Sequence, residues 1–428
     1  MNILISGASG FIATHLIAAL KPQHRLIALT RSTEKIARRA PDLDVRRADF
    51  AQITDPADWL PLLEGVDAVI NCVGIIAETS KGDFQRVHSA VPKALFKAAE
   101  MAGVSKVIQI SALGADRDAT SRYHLSKREA DDCLRSLDLD WFVLRPSIVY
   151  GPGAQSMALF HALAALPIAG VLDQGRQLLQ PVQIGDLVAA VQACLEPGVS
   201  ARRTIDVVGP EPIFYRDLIG LLRTRLGKAE ARFISIRSQI ALKFGFFGKL
   251  LAIPALSEEG IRMLLRGNAA DAHDLAELIG YQPSSLQENL GEYPANQAER
   301  WHAGLYFLKP LLRVSIALVW ILSGVVSAFY FPPAQSYAWL AELGINGPWA
   351  PLSLYGLAAM DGLLGLALLI GYRIGLVIYL QLFAMLAYMG VIGIGLPEFW
   401  LHPFGPLIKN FPILVASMIL LVLEGEKP

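Results

Sequence analysis

Charged residues become scarce after position 310 of this 428-residue chain. From Leu311 to Leu423 the charged side chains are Arg313, Glu342, Asp361, Arg373, Glu398 and Lys409, whereas the preceding part carries them evenly throughout. Four stretches of that region, Leu311–Phe331, Leu352–Gly371, Ile374–Leu396 and Gly405–Leu423, approach the roughly 20 apolar residues that a helix needs to cross a bilayer. None shows the polar face that a helix in a soluble core turns to water. The chain is therefore two materials, and its average of 53% hydrophobic and 18% charged residues describes neither.

The flanking charges set an expected orientation. Arg300, Lys309 and Arg313 precede the first span and Arg373 sits in the second loop, while the outer loops hold Glu342, Glu398, His402 and Lys409. This bias predicts an integral protein of a bacterial inner membrane, with the N-terminal region and the C-terminus in the cytoplasm. Trp320, Trp339, Trp349 and Trp400 read as interfacial anchors or core. Asp361 lies mid-span; it is either a functional ionisable group or a hydrogen-bonded packing residue with Gln381 as partner. Gly362, Gly365, Gly371 and Gly375 are expected to permit close helix packing.

Formal net charge is zero and no long basic block occurs, so nucleic acid is not an expected partner. Cys72, Cys133 and Cys194 are dispersed, with no CxxC pair, which predicts a reducing compartment, no disulfide framework and no metal site. Cys72 is expected as a small buried hydrophobe. The opening MNILISGASG reads as a strand that starts at once, not as a signal peptide.

The first 150 residues alternate β-branched runs with helical patterns. Strands are expected at Asn2–Ser6, Arg25–Leu29, Asp44–Ala48, Ala68–Asn71, Lys106–Ser111 and Trp141–Arg145, with helices such as Phe11–Leu20 and Phe84–Met101 between them. Such alternation predicts a parallel sheet covered on both faces. From Gly151 to about Glu292 Gly/Pro breaks become frequent, and helices are expected at Asp186–Leu195 and Tyr215–Leu226, as a small cap over the sheet's C-terminal edge. Arg237–Leu251 is basic and apolar together, and reads either as a helix on a membrane surface or as an ordinary packed helix.

After the first strand comes GASGFIA, with Gly7, Gly10 and Ala13 at the turn into a helix. Such a turn lets backbone N–H groups approach a pyrophosphate at the positive end of the helix, and the third small residue lets helix and strand pack closely. The second strand ends in LIALTRS, where a carboxylate would hold a ribose 2′-hydroxyl; the residue is Arg31, whose guanidinium suits a 2′-phosphate. NADP(H) is therefore favoured over NAD(H). Further along, YHLSK places Tyr123 and Lys127 four apart, hence on one helical face. An ammonium near a phenol would lower a pKa that is otherwise about 10, so the tyrosine could exchange a proton near neutral pH. Ser111, at the end of the fifth strand, is expected to hold a substrate carbonyl.

GASGFIA, Asp49 of RRADF, NCVG, Ser111, YHLSK and RPSIVYGPG stand in the order found in atypical or extended short-chain dehydrogenases/reductases, which residues 1–295 resemble. The branch most similar contains the NAD(P)H-binding accessory subunit of respiratory complex I, on IPALSEEGIRMLLRGN as well. The resemblance implies an α/β Rossmann-type doubly wound parallel sheet with a small α+β cap, mainly 151–295. It also implies site roles: Gly7, Gly10, Phe11 and Ile12 at the pyrophosphate, Arg31 at the adenosine phosphate, and Asp49 and Phe50 at the adenine. Val73 and Gly74 would line the ribose, with Pro146 and Ile148 beside the nicotinamide. Ser111, Tyr123 and Lys127 would be the catalytic group, Lys127 also holding the nicotinamide ribose. After a linker at 296–304, residues 305–428 resemble the DoxX-like four-helix transmembrane domains, on RVSIALVWILSG and LYGLAAMDGLLGLALL.

Two functions follow from the resemblance. One is a membrane-anchored oxidoreductase moving hydride between NADP(H) and a carbonyl or hydroxyl carbon of a lipophilic substrate. The other is a non-catalytic, cofactor-loaded scaffold or redox sensor with a membrane-complex partner, since members of this branch can keep the dinucleotide as a structural element.

Overall fold

The computed structural model describes all residues except 32, 34–35, 37–39, 41, 79, 155–156, 244–256, 292–293 and 426–428. It comprises two compact units, Met1–Gly304 and Leu305–Pro428.

The first unit is built on seven parallel strands: β1 (Asn2–Ser6), β2 (Arg25–Thr30), β3 (Asp44–Arg47), β4 (Ala68–Asn71), β5 (Lys106–Ile110), β6 (Asp140–Pro146) and β7 (Arg203–Val207). Their order is β7-β6-β5-β4-β1-β2-β3. Side chains alternate between two cores, as strand geometry requires: Ile3 and Ile5 of β1 and Ile70 of β4 enter one, Leu4 and Val69 the other. Helices α1 (Phe11–Leu20) and α4 (Ile184–Leu195) cover the first face. Helices α2 (Val91–Met101) and α3 (Arg122–Arg135), with the fully buried Trp59, cover the second. Chain order reverses between β1 and β4, so their C-terminal ends open a crevice of the kind in which doubly wound sheets bind ligands.

All six expected strands occur, within a residue at most ends. The seventh, β7, comes from the region where mainly cap elements were expected, and α4 from the same region packs against the main sheet. The rest of that region does form a smaller layer, with a parallel pair Ile168–Leu172 and Arg232–Ile236 against helices Ala158–Ala165 and Tyr215–Arg225. The helix expected from Phe84 begins as a π-turn, Gln85–Ala90, before α2. Much of Arg237–Leu251 lies outside the described residues. Residues expected as a linker form a helix, Gln297–Leu305, in which both carboxylate oxygens of Glu299 accept from Arg225 Nη2, at 2.9 and 3.0 Å.

The second unit is helical. Among the described residues, three helices are long and apolar enough to cross a membrane: Leu308–Tyr330, Trp349–Ile370 and Ile374–Gly395. The first is α6 (Leu308–Val325) continued by a π-turn, and the others are α7 (Trp349–Ile370) and α8 (Ile374–Gly395). The fourth expected span contributes a shorter apolar helix, α9 (Asn410–Gly425). The loop after the first span holds a helix, Pro333–Glu342, that the hydropathy did not foretell. Gly365 fits against Ala317 O and Ile321 of α6, and Gly324 against Ala358 O and Gly362 N of α7, so glycine lets α6 and α7 touch backbone to backbone. Asp361 accepts a hydrogen bond from Tyr388 at 2.9 Å, not from the expected Gln381, whose amide is directed to Leu364 O at 3.5 Å.

Candidate functional site

The turn after β1 is shaped by Gly7. Its φ of +69° is open to glycine without strain, and a Cβ there would stand 3.1 Å from Val73 Cγ2 and 3.3 Å from the Cys72 carbonyl carbon. Gly10 closes the turn by donating its N–H to Gly7 O at 2.8 Å and then caps α1. Phe11 and Ile12 are half-buried in the first turn of α1, and Ala13 is fully buried against the sheet. A backbone cradle that side chains would fill, at a helix N-terminus, fits a dinucleotide pyrophosphate.

Polar side chains knit the neighbouring strand ends together. Ser6 donates to Asn71 Oδ1 at 2.6 Å, and Asn71 Nδ2 donates to Gln109 Oε1 at 2.7 Å. This holds the loop Cys72–Gly74 in register with the β1 turn. Arg31 is exposed one residue beyond β2; Asp49 is exposed beyond β3, and Phe50 is buried edge-on against Trp59. Pro146 ends β6 and Ile148 lies two residues further on; their carbonyls accept from the Leu113 and Val182 N–H groups.

Ser121 caps α3 by accepting the His124 N–H at 3.1 Å. Tyr123 and Lys127 then fall one turn apart. The Lys127 ammonium is buried and donates to Ile110 O at 3.1 Å and Val73 O at 3.3 Å. A Cβ on Gly74 would lie 3.2 Å from Lys127 Nζ, so the glycine leaves the ammonium room at the site. Burial lowers the lysine to about 8. Tyr123 is half-buried, edge-on to His88 and Phe84. Its phenol is pushed up to about 12, first by burial and then by the charge of Asp131. The phenol is thus raised where a lowering by Lys127 was expected, because burial and then the charge of Asp131 set the direction.

Ser111 is buried and donates its hydroxyl to Asp131 at 2.5 Å, so its proton is engaged with that carboxylate. Asp131 is fully buried, its second oxygen has no hydrogen-bond partner, and burial raises it to about 7. Cys72 is pushed up to about 12 by burial, so it is a thiol.

Three residues join the site that sequence reasoning did not name. Asp131 continues the Tyr123 and Lys127 face by one more turn, a spacing visible in principle. His88 Nε2 accepts the Ile75 N–H at 2.9 Å, which leaves its Nδ1–H facing Ser126 Oγ at 3.1 Å. Glu259, in helix α5 (Glu258–Arg266), accepts the Tyr123 N–H at 2.9 Å; a separation of 136 residues left no local signal.

A parallel doubly wound sheet, a glycine cradle at its switch point and a Tyr–Lys pair beside it define an NAD(P)-binding domain of the dehydrogenase/reductase and epimerase type. Comparison with known proteins agrees. Residues 7–159 match the NAD(P)H-binding family and residues 317–418 the DoxX-like family, so the chain joins an NAD(P)H-binding domain to a DoxX-like one. Ceramide reductase of Caulobacter vibrioides is 28% identical over 209 residues, covering 48% of this chain and 64% of that protein. NADH dehydrogenase [ubiquinone] 1 alpha subcomplex subunit 9 of Arabidopsis thaliana is 25% identical over 232 residues, 51% of this chain and 56% of that protein. The chain thus spans between about half and two thirds of the length of these curated relatives. Among solved structures, UDP-glucuronic acid 4-epimerase of Bacillus cereus with UDP-glucuronic acid and NAD superposes with a TM-score of 0.55 at 20% identity, covering 72% of this chain and 100% of that one. A nucleoside-diphosphate-sugar epimerase of Staphylococcus aureus also gives 0.55, at 18% identity over 68% of this chain and 99% of that one. These two share the fold.

Proposed function

We propose that this protein is a membrane-anchored, NADP-dependent oxidoreductase acting on a carbonyl or hydroxyl of a lipophilic substrate. The observation that carries the reading is the Tyr123–Lys127 face of α3, with the lysine ammonium buried against Gly74 at the sheet's switch point. The dinucleotide would supply or take hydride at the substrate carbon. Gly7, Gly10, Phe11 and Ile12 hold its pyrophosphate, Val73 and Gly74 its ribose, and Pro146 and Ile148 line its nicotinamide. Arg31 receives the 2′-phosphate, with Asp49 and Phe50 at the adenine. Lys127 holds the nicotinamide ribose, and Tyr123 donates its proton to the carbonyl oxygen in reduction. Ser111 is tied to Asp131, so in this reading it supports the site from behind. The similarity to ceramide reductase favours a long-chain lipid substrate. The membrane domain crosses the bilayer four times in this reading, with α9 as the fourth span and both termini in the cytoplasm, where NADPH is made.

A second reading has its own observation. Tyr123's phenol is raised, not lowered, and Ser111's hydroxyl is engaged, so the protein without substrate is not poised for proton transfer. Together with the similarity to a complex I subunit, this favours a cofactor-loaded scaffold of a membrane complex. One experiment separates the two: the full chain in detergent is titrated with NADPH and NADH by fluorescence, then assayed with long-chain ketones and ceramide-like lipids. Turnover abolished by Tyr123→Phe at unchanged NADPH affinity supports the enzyme. Tight NADPH binding without turnover on any lipid carbonyl supports the scaffold.

A further inference from the structure

One end of the membrane domain is unusually cationic. Lys309 and Arg313 stand in the first turns of α6, Arg373 sits in the tight turn between α7 and α8, and Glu424 closes α9. Glu424 lies 3.6 Å from Lys309 Nζ and 3.9 Å from Arg313 Nη1, and Lys309 also donates to Leu423 O at 2.7 Å. Lys309 and Arg313 thus share one largely buried carboxylate, while Arg373 pairs with no carboxylate among the described residues. Arg313 is the less satisfied of the two that share it: its side chain is 15% exposed, its ion pair is long and its Nε has no partner. A guanidinium taken this far out of water is costly unless an anion completes its bonding.

The space beside it is open. A cavity of about 580 Å³ is lined by Gly371, Arg373, Ile374, Leu376, Leu421 and Glu424. Arg313 reaches its edge, because a Cβ on Gly371 would lie 3.8 Å from Arg313 Nη1. Arg373, in a left-handed backbone with φ +40°, lines the cavity, and its guanidinium lies 5.7 Å from the Tyr372 ring centre. Ile374, Gly375 and Leu376, in the first turn of α8, line the same cavity. A separate shallow depression on the last turns of α9, lined by Val415, Met418, Ile419, Val422 and Leu423, is wholly apolar. Cations at the end of membrane-crossing helices, with apolar helix surface below them, meet the two halves of a lipid.

We propose that this cavity binds the phosphate of an anionic phospholipid headgroup, held by Arg313 and Arg373 with Lys309 behind them. Glu424 then acts against the ligand, restraining Lys309 and Arg313 when no anion is present. This gives the proposal an unusual sign: removing a buried ion-pair partner should strengthen binding.

The test uses the full chain in a neutral detergent, titrated with phosphatidylglycerol, phosphatidylcholine and inorganic phosphate and followed by intrinsic fluorescence and thermal midpoint. Phosphatidylglycerol is expected to bind saturably and raise the midpoint, with the other two much weaker. Arg373→Gln and Arg313→Gln should each weaken phosphatidylglycerol about fivefold, the worth of one cation at a membrane surface. Glu424→Gln should tighten it by a similar factor, and Lys409→Gln, at the opposite end of α9, should leave it unchanged. If Arg313→Gln fails to fold, the exposed Arg373 variant carries the result. Equal binding of phosphatidylcholine, no loss in Arg373→Gln, or no gain in Glu424→Gln overturns the proposal. Inorganic phosphate binding as tightly as the lipid overturns the lipid source in favour of a free anion.

Discussion

Ser111 donates its hydroxyl hydrogen to Asp131 at 2.5 Å between β5 and α3, and that bond is the single one the buried carboxylate receives from a side chain among the described residues. The serine's first task is therefore to satisfy Asp131. Ser111→Ala should lower the unfolding free energy by about 1–3 kcal/mol, the cost of leaving a buried polar group unpaired. Pairing it with Asp131→Leu should recover most of that loss, because both polar partners are then gone. Denaturant unfolding of the detergent-solubilised chain measures this. A Ser111→Ala protein of undiminished stability but no activity would instead give the hydroxyl to the substrate.

His88 makes a pH prediction. It is buried, accepts the Ile75 N–H and turns Nδ1–H to Ser126, and burial drives it down to about 2. The unfolded chain takes up a proton on this ring below its ordinary pKa of about 6.5, while the folded one does not. Stability contributed by neutral His88 is thus intact above that pH and falls by about 1.4 kcal/mol per unit as pH drops below it. Asp131, raised to about 7, works in the opposite sense down to its ordinary range, so the wild-type curve alone is ambiguous. The difference between wild type and His88→Gln isolates the imidazole. It should shrink steadily between pH 6.5 and 5; a constant difference would mean that His88 does not resist protonation.

What was legible in the sequence follows from how local each determinant is. The β1 turn, the strands through β6 and the Tyr123–Lys127 face are written within a dozen residues, as period-two alternation, a Gly-x-x-Gly turn and an i, i+4 spacing. The return of β7 to the main sheet was not legible, because RTIDV looks the same whether it pairs with β6 or with a cap strand. Nor was the partner of Tyr123's backbone, since Glu259 is distant in sequence and close only in space. Ser111 shows the limit at the site: its position at the strand end was readable, but the direction of its hydroxyl depends on a residue one helix away. In the membrane domain, Gln381 was the plausible partner for Asp361 by composition, yet the antiparallel register of α7 and α8 delivers Tyr388.

Arg31 decides cofactor choice in the proposed function. It is exposed one residue beyond β2, and in the proposed function it meets the 2′-phosphate. A charge-assisted pair of this kind contributes roughly 1.5–3 kcal/mol. Arg31→Ala should therefore weaken NADPH by about tenfold or more while leaving NADH within about twofold, and Arg31→Asp should reverse the preference. Fluorescence titration of both cofactors gives the ratio. An equal loss for the two would remove Arg31 from the 2′-phosphate and leave the preference unexplained.

The contact between α6 and α7 gives the sharpest contrast within one pair of helices. A Cβ added at Gly324 would collide with Ala358 O and stand 2.9 Å from Gly362 N, both backbone atoms that cannot rotate away. At Gly365 it would meet Ala317 O at 2.8 Å and Ile321 N at 2.8 Å. At Gly356, on the same helix as Gly365, nothing lies within 4 Å. Alanine is the better helix former by roughly 1 kcal/mol, so Gly356→Ala should be neutral or mildly stabilising. Gly324→Ala and Gly365→Ala must separate the two helices, and overpacking of this kind costs about 1–3 kcal/mol or more. Thermal midpoints of the three variants in one detergent compare them directly. If Gly324→Ala and Gly356→Ala shift the midpoint alike, the two helices do not meet backbone to backbone as described.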